Sequence, residues 1–150
     1  MSLIIGTEHC KVDTTGRFKL PVALKKQLSI ADDMRFCIRV SIYNKCLEIF
    51  TYESFQSEVA NLRSKLNLND PNAKRLFRKL TESNIVELDT NDRFLIPKEH
   101  RTMANIDKDI VLLGQSSSIE IWDKDIYGSI DEDGFDYVKA TEEYLGDRLS

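Results

Sequence analysis

DTTGRFKLP, residues 13–21, and DTNDRFLIP, residues 89–97, carry one pattern twice at an offset of 76 in a chain of 150 residues. Five of the nine positions are identical, and Leu20 against Ile96 is a near match. Ahead of the first copy, TEHCKVD alternates Cys10 and Val12 with charged Lys11 and Asp13, the two-residue period of a half-buried strand. RFKLP alternates in the same way, Phe18 and Leu20 against Arg17 and Lys19. Two such runs joined by a short Gly-bearing link predict a β-hairpin. Gly16 suits a left-handed position in the connection at no steric cost. Asn91 and Asp92 stand where the first copy has Thr15 and Gly16, and both residue types tolerate positive φ, so the same turn is expected there.

Reading outward, Pro21 and Pro97 pre-set φ for a helix start, and VALKKQL and KEHRTM follow them. The paired acidic turns IADD (30–33) and IDKD (106–109) lead into the β-rich runs MRFCIRVSI and IVLLG. The closing strands are CLEIF (46–50) and IEIW (119–122). Each repeat therefore reads hairpin, helix, strand, turn, strand. The later part of the second copy is four residues shorter, because Ile49-Phe50 matches Ile121-Trp122 at an offset of 72. Between the copies, Phe55, Val59, Leu62 and Leu66 lie on one face of an amphipathic helix. NLNDPN is expected to break that helix at Pro71. AKRLFRKLTES then resumes it, with Leu76, Phe77 and Leu80 on one side and Lys74, Arg75, Arg78 and Lys79 on the other. The expected divisions are a first repeat over 5–54, a helical segment over 55–84, a second repeat over 85–127 and an acidic helical tail over 128–150. One repeat of about 45 residues is near the lower limit for folding alone, so the two are expected to share a core with pseudo-symmetry.

At 41% hydrophobic and 31% charged residues the chain can bury a core and stay in solution. No apolar run approaches the roughly 18 residues of a membrane span, and MSLIIG has no basic n-region, which points to a cytoplasmic protein with no membrane partner. Cys10, Cys37 and Cys46 are odd in number and form no C-x-x-C, so they read as packed thiols; with only His9 and His100 beside them, no metal or cofactor is expected. The common nucleophile, phosphate-loop, zinc and dinucleotide motifs are absent, which argues against an enzyme and a small-molecule substrate. A net charge of −4 argues against a general nucleic-acid coat. Its distribution leaves room for a basic face: residues 61–87 carry six cations against three acids, and residues 128–150 carry two against seven.

The two Asp-x-x-x-Arg turns, VLLGQSSSIEIWDKDIY (111–127) and NDPNAKRLFRKL (69–80) resemble the MraZ family of bacterial transcriptional regulators, from about Ile5 to the end of the chain. The resemblance implies an α+β, β-rich fold of two tandem AbrB-like (SpoVT–AbrB superfamily) swapped-hairpin repeats. Their hairpins would interlock as a pseudo-symmetric double-split β-barrel with connecting and C-terminal helices. It further implies a homo-oligomeric ring that binds double-stranded DNA at tandem direct repeats upstream of the division and cell-wall gene cluster. Such a regulator would be nucleoid-associated and is expected to repress. DTNDR departs from the family by lacking Gly before the second Arg, and Asp92 sets a negative charge beside Arg93. This favours the first turn as the DNA contact.

Asp13 and Asp89 are expected to be structural, as Asx caps of their turns and in local ion pairs, with Gly16 serving the turn backbone. Arg17 is the first candidate DNA contact and Arg93 the second, since a guanidinium on a rigid ribbon can lie on a phosphate or bind guanine bidentately. Lys11 and Lys19, on the polar face of the same hairpin, are candidate phosphate contacts. Against these stands a merely solvated strand face. The basic segment Lys74 to Lys79 is a competing electrostatic candidate; as a solvated helix face or a partner for a neighbour's acidic tail it would not touch DNA. The rival function is a ring-forming protein-interaction module, or an antitoxin-like protein of the same fold.

Overall fold

The computed structural model describes residues 3–28 and 34–146. The acidic turn expected at 30–33, and residues 147–150 of the expected tail, lie outside the described residues. In chain order the elements are β1 (Thr7–Lys11), β2 (Arg17–Lys19), α1 (Val22–Lys25), β3 (Arg35–Val40), β4 (Leu47–Thr51), α2 (Tyr52–Lys65) and α3 (Pro71–Thr81). The second half follows with β5 (Asn84–Glu87), β6 (Arg93–Leu95), α4 (Lys98–Met103), β7 (Asp109–Gly114), β8 (Ile119–Asp123), α5 (Lys124–Ser129) and α6 (Tyr137–Leu145). The fold is α+β and rich in strand.

The strands form a six-stranded antiparallel sheet, β1-β7-β8-β4-β3-β5, and a two-stranded ribbon, β2-β6. This corrects the local hairpin expected from the alternation. The turn joining β1 to β2 forms as expected, but β1 ladders with β7 and β2 with β6, while β5 ladders with β3. A lone two-stranded hairpin has nothing to cover its apolar face and is marginal in water. Exchange between the repeats gives each strand a partner and a shared core. Swapping the repeats maps the strand order onto itself. The pseudo-two-fold axis passes through the pairs Phe18↔Phe94 and Glu48↔Glu120. At the two edges of the large sheet, Lys11 faces Asp109 and Arg35 faces Glu87, opposite charges in both cases with the sign reversed between halves.

One face of the large sheet carries Phe36, Ile38, Leu47, Ile49, Ile110, Leu112, Ile119 and Ile121 into the main core. The inward side of the ribbon closes over it with Phe18, Leu20, Phe94 and Ile96. On the other face α2 sets Phe55 against Cys37 and Phe50, and α5 sets Ile126 and Tyr127 against Val111, Leu113 and Trp122. The opposed Glu48 and Glu120 carboxylates are relieved by Arg39 Nε at 3.0 Å from Glu48 and by Trp122 Nε1 donating to Glu120 at 2.9 Å.

The helix breaks across NLNDPN as expected, and Pro71 is the first residue of the helix that follows. The preceding helix stops at Lys65, and Asp70 accepts hydrogen bonds from the N–H groups of Asn72 and Ala73 at 2.8 and 3.3 Å, leaving Pro71 in the first turn where its missing N–H costs nothing. The apolar stripe of α3 is not core in this chain: none of its residues is buried, and Leu76 is 41% exposed. The expected seven-residue helix VALKKQL shortens to Val22–Lys25, where Gln27 turns back and its Nε2 donates to the carbonyls of Ile5 and Ala23 at 2.8 and 2.9 Å. The three cysteines are free, and burial pushes the Cys46 thiol up to about 12. Among the described residues no helix is long and apolar enough to cross a membrane.

Candidate nucleic-acid interface

The two Asp-x-x-x-Arg turns share one construction. Asp13 N–H donates to the Arg17 carbonyl at 2.8 Å and Gly16 N–H to the Asp13 carbonyl at 3.0 Å; the matching bonds at Asp89, Arg93 and Asp92 are both 3.0 Å. The Asp side chain caps each turn from inside. Asp13 Oδ1 accepts from the N–H groups of Thr15 and Arg17 at 2.9 and 3.0 Å and from the Thr15 hydroxyl at 2.6 Å. Asp89 Oδ1 accepts from the N–H groups of Asn91 and Arg93 at 2.8 and 2.9 Å. The fourth position is left-handed in both, φ 89° at Gly16 and 60° at Asp92, so Asp92 takes the glycine conformation as expected.

These turns set the ends of the β2–β6 ribbon, which is locked by Leu20 N–H to the Asp92 carbonyl at 2.8 Å and Ile96 N–H to the Gly16 carbonyl at 2.9 Å. With Phe18 and Phe94 turned into the core, alternation sends their neighbours outward. Arg17 lies opposite Leu95, and Lys19 opposite Arg93. Three cations and one half-exposed leucine therefore make up the solvent face of the ribbon. Lys11 is not part of it: β1 belongs to the other sheet, where Lys11 faces Asp109.

The expected local Asp–Arg ion pair forms at the second turn, between Arg93 and Asp89, and not at the first. Arg17 donates through Nη1 to the Thr15 hydroxyl at 3.1 Å, and no carboxylate among the described residues lies within 4 Å of its guanidinium. Arg93 instead spans both turns, with Nε 3.4 Å from Asp89 and Nη1 3.8 Å from Asp13. Asp92 faces away from this pair, and its carboxylate is 2.8 Å from Lys25 Nζ, on the first repeat's helix. The reciprocal partner is Arg101, on the second repeat's helix. Its Nε donates to the Ile96 carbonyl at 3.1 Å, and its guanidinium lies so close over Gly16 that a Cβ there would meet Cζ at 2.7 Å. Sequence reasoning missed Lys25 and Arg101, although the offset of 76 that aligns the turns also places one on the other.

The hydroxyl of Thr15 first, then the Arg17 N–H, hold the Asp13 carboxyl down from its ordinary 3.8 to about 2. The Arg93 N–H lowers Asp89 in the same direction. A carboxylate with a lowered folded value stabilises the fold above the unfolded value and loses that contribution as pH falls through the folded one. Urea midpoints are therefore expected to drop between about pH 4 and pH 2, and to drop less steeply for Asp13→Asn. Parallel pH profiles for the two proteins would refute the assignment. Desolvation lowers His100, buried on α4, so keeping it neutral in the fold begins to cost stability as pH falls below its ordinary 6.5.

A family model described as MraZ protein, putative antitoxin-like, matches residues 3–79 and again 80–145. Proteins named transcriptional regulator MraZ align along nearly the whole length. That of Flavobacterium psychrophilum is 36% identical over 148 residues, covering 97% of this chain and 94% of the relative. That of Christiangramia forsetii is 37% identical over 144 residues, covering 95% and 93%. That of Shewanella baltica is 31% identical over 146 residues, covering 97% and 95%.

Proposed function

The chain belongs to the MraZ family, and from that membership we propose that it is a non-enzymatic transcriptional regulator that binds double-stranded DNA through the β2–β6 ribbon. The observation that carries this reading is the solvent face of the ribbon, where Arg17, Lys19 and Arg93 stand on a two-stranded element pinned by Phe18 and Phe94. A two-stranded ribbon fits a major groove, and Arg can read guanine there while Lys neutralises phosphate. Lys11 is retained at the margin as a phosphate contact. Asp13, Asp89 and Gly16 serve the turns.

The finer parts of the reading are that the protein represses, and that it acts at direct repeats upstream of the division and cell-wall genes. It would do so as a homo-oligomeric ring, in a cytoplasmic and nucleoid-associated setting. Few cations per ribbon give weak binding per subunit; a ring engaging several DNA repeats makes the later contacts intramolecular and raises avidity. The double-split barrel belongs to the same proposal, supported by the exchange of strands about one pseudo-axis. So does the division into repeats over 5–54 and 85–127, a helical link over 55–84 and a tail over 128–150.

Fluorescence anisotropy with a duplex from upstream of the chain's own gene, against a scrambled duplex of equal length, tests the reading at a series of salt concentrations. Tighter binding to the native duplex, with log K falling linearly in log salt, is expected. Equal binding to both duplexes sinks the self-promoter proposal. No binding to either favours the interaction-module or antitoxin-like reading.

A further inference from the structure

The pseudo-symmetry of the two turns is broken by charge, at positions outside the Asp-x-x-x-Arg pattern. Each turn is met by a cation from the helix of the other repeat: Lys25 at the second, Arg101 at the first. At the second turn Lys25 is neutralised by Asp92 at 2.8 Å, and Arg93 is drawn between Asp89 and Asp13. At the first turn the position equivalent to Asp92 is Gly16, which has no charge to offer. Arg101 therefore lies over the Gly16 backbone with only its Nε engaged, and among the described residues neither Nη has a partner. Arg17, the next residue along, likewise has no carboxylate partner among them. Two guanidiniums from different repeats thus meet the same turn, Arg17 at Thr15 and Arg101 at Gly16, both with donors to spare.

We propose that Arg101 is a phosphate-contacting residue, which together with Arg17 makes the first turn a two-arginine anion site built by both repeats, while the second turn is internally neutralised and contributes little charge to the DNA. The glycine is what makes this possible. A side chain at position 16 would strike the guanidinium, and an Asp there would hold it as Asp92 holds Lys25. The ligand is the DNA phosphate backbone: with Nε given to the Ile96 carbonyl, the Nη groups of Arg101 are the donors left for an anion.

The proposal rests on the DNA-binding reading, and its test separates the two. Full-length wild type, Arg101→Gln, Arg101→Lys and Lys25→Gln would be titrated with the upstream duplex over a salt series, with melting temperature and oligomer size measured alongside. Arg101→Gln is expected to bind at least about fivefold more weakly and to lose about one unit of salt slope per engaged turn. Arg101→Lys should keep most of the slope, and Lys25→Gln all of it. Wild-type slope in Arg101→Gln overturns the proposal while leaving the DNA-binding reading intact. So does a weakening of Arg101→Gln that Arg101→Lys fails to rescue, which marks a structural role for the Ile96 contact. Equal slope losses in Arg101→Gln and Lys25→Gln refute the inequality of the turns. Absence of salt-dependent binding by wild type removes both readings.

Discussion

Arg17→Ala is expected to abolish preferential binding to the upstream duplex while leaving melting temperature and oligomer size as in wild type. Arg17 contributes to the fold mainly through its backbone, whose N–H and carbonyl close the turn with Asp13, and alanine keeps both. Its guanidinium makes one hydrogen bond, to the Thr15 hydroxyl at 3.1 Å, an exposed contact worth little. A base or phosphate contact, by contrast, is worth about 1–3 kcal/mol for each engaged ribbon, or roughly 5- to 150-fold. Losses multiply where several ribbons bind one DNA. Anisotropy and size-exclusion measurements on the same preparation decide the matter. Loss of assembly together with binding would make Arg17 a structural residue and return the function to a protein-interaction module.

Phe94→Ala is the substitution expected to cost most stability. Phe94 is 2% exposed and lies on the pseudo-two-fold axis. Its ring centre is 5.7 Å from that of Phe18 and 4.7 Å from that of Phe36, the latter edge to face at 86°. Removing it leaves a cavity where ribbon and sheet meet, at about 3–5 kcal/mol, against a total of about 5–15 kcal/mol for a typical domain. The aromatic pairs add to the loss beyond area alone. Urea unfolding at fixed protein concentration should show the drop, with Tyr43→Ala, at a side chain 91% exposed, within about 0.5 kcal/mol of wild type. A cost under about 1 kcal/mol for Phe94→Ala would mean that the ribbon is not held to the sheet through this ring.

Local chemistry alone determined much of this protein. The repeat at an offset of 76, the turn with its capping Asp and left-handed fourth residue, and the strand periodicity are all set by a few neighbouring residues. The break after α2 and the capped start of α3 at Asp70-Pro71 are equally local, because a proline that cannot continue one helix is suited to the first turn of the next. The turn arginines were legible for the same reason: their place is fixed by the turn they close.

What only the tertiary structure decided is which strand lies beside which, and hence which charges meet. Alternation in TEHCKVD and RFKLP is the same whether the strands pair with each other or with the second repeat, because side-chain period carries no information about the partner. Burial of the apolar faces chose exchange. Exchange then carried Lys25 to Asp92, Arg101 to Gly16 and Arg93 to Asp13, contacts between residues 67 to 85 positions apart. Charge acts through space over a few ångströms, and only the folded chain sets those distances.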